Sequence, residues 1–163
     1  MKPEEIPKKL EKFPEFNEWR KKNKESFLSY LFKILPGEEE WQAGYYSKKK
    51  DNITTFKLTE NNMEIIPEQE VFKKEETDVF GLELDKVKVS LEEALGITNK
   101  LRAEKYKVDS TKIIVILQKL GIGQVWNITY ITSALSTLNV KIDSSSGEVL
   151  SEELVPLVKY KDE

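Results

Sequence analysis

Two rhythms of apolar residues follow one another along the chain, and the pair occurs twice. Phe16, Trp19, Asn23 and Phe27 recur at helical spacing, with Lys and Glu between them, and Pro14 suits the first position of that helix. Leu28, Leu31 and Leu35 either continue the stripe to Pro36-Gly37 or belong to a strand over residues 29–35. From residue 41 the grammar is extended. Residues 41–46 read as a strand, 48–52 as a polar turn and 53–58 as a second strand. Asn61-Asn62 marks a turn, and 63–66 open a third extended piece that Pro67 ends.

The second cycle begins after residues 73–78 (KKEETD), a short and wholly polar joint. Residues 79–89 alternate loosely and predict an extended piece. Ser90 and Glu93 then form a capping box, each satisfying the other's free amide. Leu91, Ala94, Leu95, Thr98, Leu101 and Lys105 share one face of the helix that follows. Strands are predicted over 112–120, 125–132 and 138–143, with Gly121 and Gly123 breaking the first from the second. A turn at 144–147 leads into Glu148-Val-Leu. Asp143 is placed to accept hydrogen bonds from the amides of that turn, and Gly147 to supply its φ > 0 residue.

The two cycles superpose in their strands. Trp41 lies over Trp126, Tyr45 over Tyr130 and Leu35 over Leu120; after a one-residue deletion, Lys57 meets Lys141 and Glu64 meets Glu148. The ungapped match of YLFKILPGEEEW to VILQKLGIGQVW favours a strand over 29–35. Alternation by itself forces any two amphipathic hairpins into similar agreement, and the helices do not align without a gap.

Composition narrows the chemistry. The 163 residues contain no Cys and no His, which excludes disulfides, thiol catalysis, Ser-His-Asp triads and ordinary zinc sites. The chain is 34% charged with a net charge of −3, giving no global reason to bind nucleic acid or an anionic membrane. Arg20 and Arg102 are the only arginines; Lys and Glu richness without Cys fits a thermophile surface. No apolar stretch is long enough to span a bilayer, and residues 1–13 are charged rather than signal-like, so the expectation is cytoplasmic.

The candidate motifs each have a plain structural reading. Glu38-Glu-Glu40 and Glu152-Glu153 read as solvated charge, since consecutive strand residues point to opposite faces. Ser144-Ser-Ser146 is a turn without a base, and Gly121-Ile-Gly123 is too short for a dinucleotide fingerprint. Lys21-Lys22, Lys48-Lys-Lys50 and Lys73-Lys74 are local basic clusters. Trp41, Tyr45 and Tyr46 near the second would suit single-stranded nucleic acid, but Glu38–Glu40 and Asp51 dilute its field. Trp41 and Trp126 line either a small-molecule cleft or, more commonly for strand Trp, the core.

Residues 87–153 resemble the PepSY domain family. Val87-Lys-Val-Ser-Leu-Glu-Glu-Ala-Leu matches the family's entry into its helix, and Leu138-Asn-Val-Lys-Ile-Asp-Ser-Ser-Ser-Gly-Glu-Val-Leu its closing hairpin. The resemblance implies a helix on a small antiparallel sheet, and a module of protease propeptides and of membrane or secreted regulators. Gly96 and Ile97-Thr98 depart from the family's Ala-rich helix; the first half would be a degenerate copy, with Thr59 and Met63 at the Asp and Gly positions.

The expectation is an α+β protein of two tandem helix-plus-antiparallel-sheet, PepSY-like units packed into one compact body. A charged lead-in, frayed or irregular, occupies 1–13, the first unit 14–72, the joint 73–78 and the second unit 79–163. Each unit alone would have a marginal core. The expected function is a non-catalytic protein-binding module, a peptidase inhibitor or regulator, with a small-molecule or lipid carrier as the alternative. No cofactor, metal, nucleic acid or membrane is expected as partner.

Overall fold

In a computed structural model, the structure describes residues 1–37, 39–70 and 78–156, without the side chains of 68–70. Helices α1 (Glu5–Leu10) and α2 (Pro14–Lys22) precede strands β1 (Phe27–Leu35), β2 (Trp41–Ser47), β3 (Asn52–Leu58) and β4 (Met63–Glu70). Helix α3 (Leu91–Lys100), continued by a π-helical stretch to Tyr106, precedes β5 (Lys112–Leu120), β6 (Gly123–Ile131), β7 (Ser136–Asp143) and β8 (Val149–Pro156). The fold is α+β, with one eight-stranded antiparallel sheet in the order β4-β3-β2-β1-β5-β6-β7-β8. Each meander of four is sequential, and the two join where Tyr30 to Leu35 pair with Gln118 to Ile113.

The apolar face of each strand is set by its period of two. Leu31, Trp41, Ala43, Phe56, Leu58, Val115, Leu117, Trp126, Ile128, Leu138, Val140 and Ile142 form the buried cluster, together with helix residues Ile6, Leu10, Phe16 and Ala94. All the helices therefore lie on one face. Trp41 and Trp126, 2% and 0% exposed, are core residues.

Several expectations need correction. Residues 1–13 are not irregular throughout: Glu5–Leu10 is helical, Ile6 and Leu10, one helical turn apart, are fully buried, and Glu5 accepts from the amide of Lys2 at 2.9 Å. Pro7 is tolerated because it sits in the first turn of α1, where amides have no intrahelical acceptor. The second helix stops at Lys22, so Phe27 belongs to β1. Asn23 turns the chain by donating to the carbonyl of Trp19 at 2.8 Å, and Arg20 ties down the carbonyl of Ser26. Residues 29–35 are strand, the alternative that the internal alignment favoured.

Pro67 does not end β4. The strand runs on to Glu70 at the edge of the sheet, with an irregularity opposite Ile53/Thr55 that takes up the residue lacking an amide. Residues 79–89 are irregular, with a 3-10 turn at Leu84–Lys86. Their backbone is satisfied elsewhere: Leu82 donates to Leu28 at 2.8 Å, Lys88 and Val89 to Ser144 at 2.9 Å, and Glu83 to the Gln124 side chain at 2.8 Å. At α3 the Ser90 hydroxyl accepts from the Glu93 amide at 3.0 Å. The Glu93 carboxylate then takes the Ser90 hydroxyl, at 3.3 Å, instead of the Ser90 amide expected of a capping box. The joint at 73–78 lies outside the described residues except for Asp78.

Candidate functional site: the uncovered face of the sheet

The strands that bury one set of side chains under the helices present the alternate set on the other side, and among the described residues no helix covers it. Across the centre of that face run Tyr30, Phe32 and Ile34 of β1 and Ile114 and Ile116 of β5, with Phe32 opposite Ile116 and Ile34 opposite Ile114. All five are partly exposed, Ile34 by 38%. These two central strands are apolar on both faces, which a half-covered antiparallel sheet does not require.

Tyr30 lies flat across β2. A Cβ on Gly44 would come 2.0 Å from its ring, so only glycine fits beneath it. Its hydroxyl reaches Thr55 on β3 at 2.8 Å. Tyr30, Phe32, Gln42, Ile116 and Gln118 line a shallow hollow of about 280 Å³. Beside the stripe runs an amide network. Asn127 donates to Gln118 at 2.8 Å, Asn139 to Asn127 at 2.6 Å and to Thr129 at 2.9 Å, and Lys141 to Asn139 at 2.8 Å. Held side chains of this kind fix the polar half of a surface before any partner arrives.

Both edges are poor sites for strand addition. β4 carries Pro67 and an irregular register; β8 carries Pro156, Glu152 and Glu153 and a second irregularity. On the helix side, a groove of about 710 Å³ opens between α1–α2 and residues 82–85, with Phe16, Leu28 and Tyr45 in its floor and Glu11, Arg20 and Asp85 around it. Burial pushes the Tyr45 phenol up to about 12, against the lowering effect of Arg20.

The residues singled out from sequence are dispersed. Glu152 faces the helices, where the Lys105 ammonium and then the Tyr106 hydroxyl hold its carboxyl below the usual range. Glu153 pairs with Asn139 on the uncovered side. Glu38 lies outside the described residues, and Glu39 and Glu40 stand in the β1–β2 connection. Asp143 accepts from the amides of Ser145 and Ser146 at 2.8 and 2.9 Å, and these bonds keep its carboxyl low. Gly147 has φ 80°, just after the turn at 144–146, and Gly123 φ 125°, where the β5–β6 turn enters β6. Tyr45 and Tyr46 are buried, 5% and 2% exposed. No group of three or more acidic residues is arranged to hold a metal ion among the described residues, nor is any helix among them long and apolar enough to cross a membrane.

A sheet with helices on one face and an apolar stripe on the other defines a class of architecture rather than a reaction. No protein-family model matches the chain, and no curated protein matches it. Among solved structures the chain is similar to a crystal structure of a candidate lipoprotein from Clostridium difficile 630. The TM-score is 0.52 at 15% identity, over 86% of this chain and 90% of that one. At that identity the likeness is one of fold.

Proposed function

We propose that the chain is a non-catalytic, PepSY-like protein-binding module whose partner docks on the uncovered face of the sheet. The observation that carries this is the stripe Tyr30–Phe32–Ile34–Ile114–Ile116 on a rigid sheet, flanked by a preformed amide network. An aromatic and aliphatic centre with a polar surround is the anatomy of a protein interface. The blunted edges make the face a better candidate than strand addition. A peptidase as partner rests on the PepSY resemblance alone.

The test is inhibition of a panel of serine, cysteine and metallo-peptidases by the protein and by its Phe32→Asp/Ile116→Asp variant. Inhibition by the first and its loss in the second is expected. No inhibition across the panel removes the peptidase, and equal inhibition by the variant removes the face. The carrier reading draws on the groove beside Tyr45; native mass spectrometry of the purified protein distinguishes it, since a carrier retains a small molecule there.

The two halves are best read as copies of one unit. β1 and β5 are both nine residues long, and their starts and ends are each 85 positions apart. Helix then four strands recurs in both halves. Copies should be interchangeable where they meet, so an isolated 78–156 half should pair with itself through β5 and sediment as a dimer. A well-folded monomer would count against both the duplication and the shared core.

A further inference from the structure

Two lysine clusters that are far apart in sequence meet at one end of the sheet. The end of α2 and the residues after it bring Lys21, Lys22 and Lys24, and the β2–β3 hairpin brings Lys48, Lys49 and Lys50; all six are exposed. The clusters are tied together by Lys50 Nζ to Asn23 Oδ1 at 3.3 Å and by Ser47 Oγ to Glu25 Oε1 at 2.8 Å. Two carboxylates stand among them: Glu25 accepts the Ser47 hydroxyl, with Lys49 and Lys50 close by, and Asp51 accepts the Tyr46 hydroxyl. Among the described side chains, six lysines stand here with two carboxylates, a local excess of positive charge in a chain whose net charge is −3.

The same end of the sheet carries exposed apolar tips. Ile122, in the β5–β6 turn, is 56% exposed, and Phe80, next to Gly81 against the Phe27 ring, is 39% exposed. The β2–β3 and β5–β6 hairpins are three strand spacings apart, about 14 Å. Cations and apolar tips therefore lie at the same end of the sheet.

We propose that this end of the sheet is a docking surface for an anionic membrane: Lys21, Lys22, Lys24 and Lys48–Lys50 engage lipid headgroups while Ile122 and Phe80 enter the interface. A nucleic acid fits less well. The aromatic residues next to the hairpin, Tyr45 and Tyr46, are buried and give bases no stacking platform. Fork-shaped phosphate recognition calls for Arg; Arg20 is turned inward, onto the carbonyls of Asn23 and Ser26. Lysines acting as point charges suit a diffuse anionic surface. The net charge of the whole chain hid this corner, because electrostatic attraction to a surface falls off within a Debye length.

The experiment is co-sedimentation of the full chain with phosphatidylserine-containing phosphatidylcholine vesicles and with pure phosphatidylcholine vesicles, at low and near-molar salt. Binding is expected on the anionic vesicles only, and to be lost at high salt. The Lys48→Gln/Lys49→Gln/Lys50→Gln variant should bind about two orders of magnitude more weakly, at roughly fivefold per lysine. Ile122→Ser should weaken binding by a smaller factor. Lys100→Gln/Lys107→Gln/Lys112→Gln, toward the opposite end, should bind as the parent does. Equal binding to neutral vesicles, or an unchanged hairpin variant, overturns the proposal. Tighter retention of a single-stranded oligonucleotide than of the anionic vesicles overturns it too, in favour of nucleic acid.

Discussion

The two halves of the sheet are covered by helices in different ways. Over β2 and β3, α2 is held by rings: Phe16 and Trp19 pack on Tyr45 and Phe56 with ring centroids 4.9–5.6 Å apart, mostly edge to face. Over the second meander, α3 meets a bed that is mostly aliphatic apart from Trp126 and Tyr130, through small residues, Ala94 and Thr98, both fully buried. Its position is fixed by polar contacts in the core: the Thr98 hydroxyl to Tyr130 at 2.6 Å, and Trp126 Nε1 to the Val89 carbonyl at 2.9 Å. Interlocking rings locate a short helix by shape. Small residues such as Ala94 and Thr98 interlock less, and directional bonds from Tyr130 and Trp126 supply the register.

The sharpest way to break that contrast is to remove one ring. Phe56 touches Phe16, Trp19 and Tyr45 at once, so Phe56→Ala should lower stability by about 3–5 kcal/mol, measured by urea denaturation. A loss near 1 kcal/mol would mean that the rings do not act as a unit. Next comes Trp126→Phe, which keeps most of the volume but leaves the Val89 carbonyl without its donor. About 2–3 kcal/mol is expected, and the loss should fall mainly on protection of the α3 amides in hydrogen exchange.

The same contrast explains how far the sequence could be read. The strands were legible because alternation is a local property, and the turns because Asp143, Gly147 and Gly123 are required by their own backbone. Helix α1 was not legible: Ile6 and Leu10 are two apolar residues among charges, too few to show a period, and only tertiary burial makes them helical. Residues 79–89 alternate like a strand, but Gln124 and the turn at Ser144 take their backbone bonds first. The uncovered stripe was written in the doubly apolar β1 and β5. Nothing local says that only one face of those strands would receive helices. The lysine corner needs two segments to meet, which no periodicity reports.

A smaller effect tests the turn at the end of the second meander. Asp143→Ala removes two bonds to turn amides at a partly exposed site and should cost about 1 kcal/mol. The carboxyl is held low in the fold, so its contribution is present above the unfolded value and declines as pH falls through the folded one. The variant should therefore differ from the parent at neutral pH and converge with it in acid. If the difference in denaturation midpoint persists in acid, the carboxylate is not what holds the turn.

The aromatic half has its own titration, of opposite sign. Burial raises the Tyr45 phenol to about 12, from an ordinary value near 10. The neutral form is the one the fold favours, so this stability is complete below pH 10. It is lost as pH rises from 10 toward 12, where the unfolded chain gives up a proton that the folded chain keeps. Tyr45→Phe retains the ring contacts with Phe16, Trp19 and Phe56 and removes the proton. Its denaturation midpoint should match the parent's at neutral pH and fall less steeply in alkali, with absorbance at alkaline pH showing one fewer late-titrating phenol. Tyr130 is also raised by burial, against its bond to Thr98 and the charge of Arg102, so part of the alkaline slope should survive in Tyr45→Phe. An unchanged alkaline slope would place the titrating group in the hydrogen-bonded half instead, and the two halves would then differ in packing but not in their response to pH.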